Sequence, residues 1–253
     1  MNKITKPLFS IITVVKNDEK NIQKTILSIL NQEFKNFEYI IIDGNSKDTT
    51  ISLINKYKKD INCIISENDN GIYHAMNKGA KISSGEFIVF VNSGDLLTKK
   101  ALKIIQNKID EKPNIDFLFG TVKRHYTKDT LIKHGFSKKR LIYNFDFATS
   151  HSTGFFIRRS VFAKMGFFNT KYKCSADYDV YYKLLINNNG AGTYTDKQEL
   201  IGEVSSGGYS SKLNFFDHLV EETKIRFENK QNIFIIILIF VNALIKQVFK
   251  SII

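Results

Sequence analysis

The chain of 253 residues has no tryptophan and contains only two cysteines, two prolines and three methionines. Cys63 and Cys174 are far apart in sequence and form no Cys-x-x-Cys motif. This spacing argues against a disulfide framework or a cysteine zinc site and fits a reducing compartment. The first residues also lack the basic and then apolar segment of a secretory leader, so we expect no signal peptide.

Acidic residues are outnumbered, with 25 Asp and Glu against 37 Lys and Arg, which leaves a net charge of +12. Such an excess favours anionic partners, namely nucleic acid, anionic lipid or a phosphorylated substrate. The basic residues are scattered and form no zinc-finger, helix-turn-helix or RNA-binding signature, so we expect no nucleic-acid partner. The hydrophobic content of 43% is sufficient for one large folded domain.

No uninterrupted apolar run reaches the roughly 20 residues that a membrane-spanning helix needs. Residues 233–241 are wholly apolar and continue toward Phe249, with Lys246 and Lys250 interleaved. A helix that lies in the membrane interface, with its lysines toward anionic headgroups, fits this pattern best. The alternative is a terminal helix that packs on the core or on the second subunit of a homodimer.

Strand-like and helix-like segments alternate over the first 91 residues. This alternation predicts an α/β fold with a mostly parallel central sheet flanked by helices. We expect a domain over residues 1–212 and a C-terminal helical segment over residues 213–253. The predicted strands are 8–15, 37–42, 61–65, 86–91, 117–119 and 153–157; the predicted helices are 22–30, 51–57, 72–82, 98–109, 178–186 and 213–227; residues 123–140 are predicted to be a basic loop.

Polar residues follow each of the first four predicted strands, at positions 16–17, 43, 67–69 and 92–95. In an open α/β sheet the crevice at the carboxyl ends of the strands is where ligands bind. Asp95 could hold a hard divalent cation that in turn holds a phosphate, could cap the helix from Thr98 onward, or could be an ordinary turn residue. Asp43 could accept a hydrogen bond from a nucleobase or a ribose hydroxyl, or could belong to a turn. Asp48 is interpreted as a helix cap.

Three further places could carry chemistry. Asp177 could accept a proton from an attacking sugar hydroxyl, or could cap the helix that follows it. Asn77 and Lys78 could reach a phosphate or sugar from their helix, although a lone lysine is usually solvated. His151 could contact a phosphate, a metal or an acceptor sugar, although a single histidine is more often structural.

Five segments occur in a characteristic order: residues 10–17, 43–49, 66–79, 85–95 and 176–179. Together they resemble the family-two inverting glycosyltransferases with the GT-A fold, a Rossmann-like α/β architecture. The resemblance covers about residues 8 to 205 and is nearest to the bacterial O-antigen, capsule and exopolysaccharide group. It implies a nucleotide-sugar donor, commonly a UDP-sugar, and a divalent metal, Mn²⁺ or Mg²⁺.

The same resemblance implies a role for each matching position. Asp177 would be the catalytic base, Asp95 the metal ligand, and His151 an acceptor-side or diphosphate contact. Relatives often carry Asp-x-Asp-Asp where this chain has Asn92-Ser-Gly-Asp95, so weaker metal affinity or a ribose contact through Asn92 is plausible. The residues implied to bind the nucleotide-sugar are Thr13, Val15, Asn17, Asp43, Asp69, Asn77, Lys78, Asn92, Ser93 and Asp95.

The implied reaction moves a hexose or N-acetylhexosamine to a sugar hydroxyl of a polysaccharide or polyprenyl-diphosphate-linked acceptor in surface-glycan synthesis. The implied location is peripheral, on the cytoplasmic face of the bacterial inner membrane. A processive synthase would need several spanning helices and a Gln-x-x-Arg-Trp motif, but this chain has no tryptophan. A dinucleotide oxidoreductase would need Gly-x-Gly-x-x-Gly after the first strand, but this chain has Val15-Lys-Asn-Asp18 there. A catalytically silent, membrane-associated scaffold that keeps only the GT-A fold is the alternative that stays open.

Overall fold

The computed structural model describes residues 6–126, 129–144, 152–206 and 214–252. Its strands are β1 Phe9–Val15, β2 Phe37–Asp43, β3 Cys63–Ser66, β4 Phe87–Phe90, β5 Leu96–Leu97, β6 Phe117–Phe119, β7 Thr121–His125, β8 Thr130–Lys133, β9 Phe155–Arg158, β10 Gly192–Tyr194 and β11 Leu200–Val204. Its helices are α1 Ile22–Leu30, α2 Thr50–Asn55, α3 Ile72–Ile82, α4 Ala101–Glu111, α5 Lys138–Tyr143, α6 Arg159–Lys164, α7 Ala176–Tyr182, α8 Phe215–Glu228 and α9 Ile233–Ile252.

The larger sheet has seven strands in the order β10-β6-β9-β4-β1-β2-β3. The central strand, β1, pairs in parallel with β2 on one side and with β4 on the other, and β3 continues the parallel run beyond β2. β9 alone runs antiparallel to both of its neighbours. The predicted α/β fold with a mostly parallel sheet is therefore confirmed.

Both faces of this sheet are covered, and this explains why its central strands are apolar along their whole length. On one face Ile12 belongs to a buried cluster with Met76 of α3, and on the other Ile11 belongs to a cluster with Ile26 of α1. The contact between α3 and β1 is close, because a Cβ on Gly79 would lie 2.5 Å from Cγ2 of Ile12. Glycine at this position lets α3 lie against the centre of the sheet.

A second sheet, with the order β5-β11-β7-β8, was not predicted. The segment 123–140, interpreted as a basic loop, contains the end of β7, all of β8 and the start of α5, so that interpretation is wrong. The sequence of β8 does not alternate between apolar and polar residues, because its two apolar residues, Leu131 and Ile132, are adjacent. They should face opposite sides of the sheet, and both are exposed. Backbone pairing between β7 and β8 defines this hairpin instead of a buried face.

The two C-terminal helices differ in how they are held. α8 contributes Ile225 to the core beneath the main sheet, and its buried Arg226 donates hydrogen bonds to the carbonyl oxygens of Leu141 and Asn144. α9 packs against α8, but Phe234 and Leu238 are 73% and 69% exposed. Among the described residues, no helix has the combined length and apolar character that crossing a membrane requires. The predicted boundary at residues 212–213 lies outside the described residues.

Candidate active site

The carboxyl ends of β1, β2, β3 and β4 lie at one edge of the main sheet because these strands are parallel. We call the residues that follow them, 16–18, 43–46, 67–69 and 92–95, the strand-end cluster. β9 runs in the opposite direction, so it begins at this same edge, and the short turn Ser152–Gly154 comes directly before it. The topology therefore brings five polar segments, distant in sequence, to one place.

Hydrogen bonds join the ends of β2, β1 and β4 across this edge. Asp43 is buried and accepts hydrogen bonds from the backbone N–H and the hydroxyl of Ser46, while the Ser46 hydroxyl oxygen accepts the backbone N–H of Asn17 at 2.8 Å. The hydroxyl of Ser93 donates to Asp18 at 2.6 Å. Three loops that carry predicted binding residues thus form one connected network.

Asn17 has the backbone conformation expected of a tight turn. Its φ of 51° lies in the left-handed region, which asparagine tolerates better than most residues. Its side-chain oxygen accepts the backbone N–H of Lys47 at 2.8 Å. This contact ties the loop after β1 to the loop after β2, so Asn17 lies where the nucleotide pocket was predicted.

Asp69 and Lys78 meet at the β3 end of the edge. Lys78 Nζ lies 2.5 Å from Asp69 Oδ1 and 2.7 Å from Glu67 Oε1. Burial disfavours the charged amine, but hydrogen bonds to Asp69 and Glu67 outweigh it and raise the pKa of Lys78, so the amine stays protonated. The other oxygen of Asp69, Oδ2, is buried and has no hydrogen-bond partner among the described residues.

An unpartnered buried carboxylate oxygen is uncommon, because desolvation without a hydrogen bond is costly. Gly71, at φ 110°, turns the chain from this loop into α3 and so brings Lys78 back over Asp69. The pair predicted to line one pocket is therefore in direct contact. The free Asp69 oxygen is an acceptor that a ligand donor could satisfy.

Three predicted residues are turned away from this edge or used inside the fold. The Thr13 hydroxyl is buried, donates to the carbonyl of Val91 at 2.8 Å and lies 3.0 Å from the Tyr39 hydroxyl, while the side chain of Val15 packs in the core. The amide of Asn77 donates to the carbonyl of Phe168 and accepts its backbone N–H. The Thr13 and Asn77 side chains therefore stabilise packing and present no free polar group to a phosphate or sugar.

Asp95 closes the turn after β4 and is buried. Thr153 donates to its Oδ2 at 2.7 Å, and the backbone N–H of Ser205 donates to its Oδ1 at 3.1 Å. The carboxylate therefore joins the start of β9 to the end of β11. The alternative interpretation as a helix cap is wrong, because α4 begins at Ala101 and Lys100 occupies its capping position, whereas Thr153 and Ser205 donate to Asp95 from distant segments.

The side-chain oxygen Oδ1 of Asn92 is buried and has no hydrogen-bond partner among the residues described. Its amide nitrogen points toward the Ser152 hydroxyl at 3.4 Å. In the described ranges no three His, Cys, Asp or Glu residues are grouped closely enough to hold a metal by themselves. Oxygen atoms of Asn92 and Asp95 nevertheless fit a hard divalent cation whose remaining ligands come from phosphate and water. His151 lies outside the described residues.

Asp177 lies in the first turn of α7, and Ser175 occupies the capping position, so Asp177 is not the cap. Its Oδ1 accepts the hydroxyl of Tyr73 at 3.1 Å and the backbone N–H of Tyr178 at 2.9 Å. Burial and the negative charge of Asp177 raise the pKa of Tyr73 well above its usual value, so the phenol remains a donor. Tyr73 and Lys78 are both on α3, which connects Asp177 to the strand-end cluster.

One carboxyl near Asp177 was missed in the sequence. Burial raises the pKa of Glu222 to about 8, with Asp177 and Glu221 adding to the shift and Arg226 opposing it. Glu222 is on α8, which was interpreted as the beginning of a separate segment. A helical pattern does not indicate which acidic residue on a half-buried face will lie near another carboxylate, so the sequence could not identify Glu222.

The sequence model of one protein family, Glycosyl transferase family 2, matches residues 10–166 of this chain. The chain belongs to glycosyl transferase family 2. The matched range includes β1 to β9 with the whole strand-end cluster, whereas Asp177 and α8 lie beyond it. The recognition of the family from its ordered motifs is confirmed.

The chain is also similar to individual proteins. It is 28% identical over 179 residues to a PGL/p-HBAD biosynthesis glycosyltransferase of Mycobacterium bovis (strain BCG / Pasteur 1173P2), covering 68% of each chain. A crystal structure of S. aureus TarS in complex with UDP-GlcNAc superposes with a TM-score of 0.69 at 22% identity, covering 86% of this chain and 66% of TarS.

A third similarity is to mannosyltransferase PcManGT from Pyrobaculum calidifontis in complex with GDP-Man and Mn²⁺. The TM-score is 0.64 at 15% identity, and the aligned region covers 95% of this chain and 70% of the PcManGT chain. At these identities the two structures establish the GT-A fold alone.

Proposed function

We propose that this protein is an inverting glycosyltransferase that moves a hexose or N-acetylhexosamine from a UDP-sugar to a sugar hydroxyl. One observation carries the proposal. The strand-end cluster, with its free Asp69 and Asn92 oxygens, is linked through α3 and Tyr73 to the carboxylate of Asp177. A donor-binding edge and a candidate base are thereby parts of one rigid unit.

The donor would lie along the strand-end cluster. Asp43 would meet the base once its present hydrogen bonds to serine rearrange, and Asp69 offers an unused acceptor beside the charged Lys78. The UDP-GlcNAc in the TarS structure supports a uridine nucleotide and an N-acetylhexosamine as first candidates.

Asn92 and Asp95 would hold a divalent cation, Mn²⁺ or Mg²⁺, and the Mn²⁺ in the PcManGT structure supports this choice. When bound, such an ion would stabilise the negative charge of a departing diphosphate. Asp95 is already oriented by Thr153 and Ser205, so its carboxylate would need little rearrangement. His151, next to Ser152, is proposed to contact the diphosphate or the acceptor.

Asp177 is proposed to act as the base in a single displacement. The acceptor O–H bond breaks and its proton goes to an Asp177 oxygen, while the acceptor oxygen forms a bond to the anomeric carbon from the face opposite the diphosphate. The bond from the anomeric carbon to the diphosphate breaks, and the nucleoside diphosphate leaves. The hydroxyl of Tyr73 donates to Oδ1 of Asp177 and so orients the carboxylate that would receive the proton.

The acceptor is proposed to be a polysaccharide or a sugar on a polyprenyl diphosphate lipid, in surface-glycan synthesis of the O-antigen, capsule or exopolysaccharide kind. Phe234, Leu238, Val241 and Ile245 form an exposed apolar stripe on α9, and Lys246 is exposed near its end. An apolar stripe with flanking cations suits the surface of an anionic membrane. We place the protein peripherally on the cytoplasmic face of the inner membrane.

A panel of nucleotide-sugars tests the proposed reaction. With Mn²⁺ and an oligosaccharide acceptor mixture, wild-type protein should release UDP from one UDP-sugar, and NMR of the product should show the inverted anomeric configuration. Exposed Asp217→Asn serves as the matched control for Asp177→Asn. Donor binding without any turnover would favour the catalytically silent scaffold and contradict the proposed function.

Vesicle co-sedimentation tests the proposed membrane contact. Wild-type protein should bind vesicles that contain phosphatidylglycerol more tightly than vesicles of phosphatidylcholine alone, and Leu238→Glu should weaken this binding. The control is Leu131→Glu, which changes an exposed leucine of β8 on another part of the surface. Equal binding by wild type and Leu238→Glu, or a stable homodimer that covers α9, would contradict membrane docking.

A further inference from the structure

Glu221, on α8, binds the turn that leads into α7. Its Oε1 accepts the backbone N–H of Lys173 at 2.7 Å. Its Oε2 accepts the backbone N–H groups of Cys174 and Ser175 at 3.0 Å and 3.1 Å, and the Cys174 thiol lies 3.2 Å away. One carboxylate therefore satisfies three consecutive backbone donors immediately before the helix that carries Asp177.

These donors belong to residues 173–175, which precede Ala176, the first residue of α7, so the hydrogen bonds within that helix do not satisfy them. α7, Ala176–Tyr182, continues directly into a π-helical segment, Lys183–Asn187, and a helix of this length depends on tertiary contacts for its stability. Hydrogen bonds to an ionised carboxylate are stronger than neutral ones. Glu221 therefore holds the turn from which α7 begins against α8.

The helix that carries Glu221 is itself firmly held. The guanidinium of Arg226, one turn further along α8, lies 5.5 Å from the ring centre of Tyr178 and 5.9 Å from that of Tyr182, both on α7. It also donates to the carbonyl oxygens of Leu141, in the last turn of α5, and of Asn144, which follows that helix. These contacts of Arg226 hold α8, and with it Glu221, against α7 and α5.

We propose that Glu221 is a positioning residue for Asp177. This inference depends on the proposed function of Asp177 as the base. By fixing the turn 173–175, Glu221 sets where the Asp177 carboxylate stands relative to Tyr73 and the acceptor hydroxyl. Both of its carboxylate oxygens accept backbone N–H groups of this turn, so its loss should affect the chemical step and leave donor binding unchanged.

Kinetics of Glu221→Ala and Glu221→Gln test this assignment. Small displacements of a catalytic group can cost up to about 100-fold in rate, so Glu221→Ala should lower kcat by roughly 10- to 100-fold. The KM for the UDP-sugar should change by less than about twofold, because the strand-end cluster is intact. Glu221→Gln keeps an oxygen acceptor and should recover part of the rate, and exposed Asp217→Asn should match wild type.

Amide hydrogen exchange provides a readout that does not depend on turnover. In Glu221→Ala, peptides that cover residues 173–180 should exchange at least about tenfold faster, while peptides from β1 and β2 should be unchanged. Faster exchange across the whole chain, or equal losses of kcat and donor binding, would overturn the inference in favour of a general structural role.

The inference and the proposed function fail in different ways. An active Asp177→Asn variant would contradict the proposed base and therefore both claims. An inactive Asp177→Asn variant together with wild-type kcat in Glu221→Ala would overturn only the positioning role of Glu221.

Discussion

The strand-end cluster and the junction of α7 with α8 are built from different kinds of contact. In the cluster, each polar segment follows a parallel strand of the main sheet, so its place at the sheet edge is set by a local pattern. At the junction, Asp177 is oriented by Tyr73 of α3 and by α8, which lie about 100 and 45 positions away in sequence. The proposed donor-binding edge is therefore visible in the sequence, whereas the orientation of the proposed base depends on long-range packing.

The largest expected effect is on the junction side of this comparison. Asp177→Asn should lower kcat by about 100- to 10,000-fold, the usual contribution of a general base, while the Kd for the UDP-sugar stays near wild type. Stopped-assay UDP release and donor titration measure the two quantities. If the variant lost donor binding as well, the two regions would not be functionally separate.

Lys78→Ala addresses the strand-end cluster and should have the opposite profile. Removal of the amine leaves the Asp69 carboxylate without its cation, so donor affinity should fall by roughly tenfold, within the range for loss of a charge-assisted hydrogen bond. Exposed Lys81→Ala, three residues further along α3, is the matched control. A wild-type Kd in Lys78→Ala would remove the lysine from the pocket.

Gly79→Ala tests whether α3 must lie as close to β1 as the structure shows. The new methyl would contact Ile12 at 2.5 Å, so the variant should lose about 1–3 kcal/mol of unfolding free energy through overpacking. Urea denaturation measures this loss, with Ala80→Gly as a control for helix propensity. An unchanged midpoint would show that α3 can shift, and that Lys78 and Tyr73 are less rigidly linked than we infer.

The smallest effect should be a dependence of stability on pH at the junction. Burial raises the pKa of Glu222 to about 8, above the value near 4.3 of a free glutamate. The folded state holds the proton more tightly, so this contribution is full below about pH 4.3 and is lost as the pH rises through about 8. The unfolding free energy of wild type should therefore fall toward pH 9 relative to Glu222→Gln, in paired urea titrations at about pH 6 and about pH 9.

Parallel profiles for wild type and Glu222→Gln would show that Glu222 is ionised in the folded protein at neutral pH. The effect is small because the side chain is half-buried and solvent screens its charge. If Glu222 is ionised, a second negative charge would lie beside Asp177, and the proposed base would need a cation from the donor or metal to remain in place.

Sequence patterns predicted the elements that are covered on both faces. The range of α3, residues 72–82, is confirmed to the residue, and the parallel direction of β1, β2, β3 and β4 is confirmed as well. The second sheet was missed because β7 and β8 pair at an exposed edge and bury no alternating face. The family resemblance implied that Asn77 and Thr13 bind the donor. The sequence did not show that their polar groups form hydrogen bonds inside the core.

The sequence by itself determined the family, the parallel strands β1 to β4 and the edge where polar residues collect, because such strands and the turns after them are local signals. Only the tertiary structure decided that Glu221 binds the turn before α7, that Glu222 lies near Asp177, that Asp95 joins β9 to β11, and that α8 belongs to the core. Those contacts join residues far apart in the chain, and their energy depends on burial and distance that no short pattern contains.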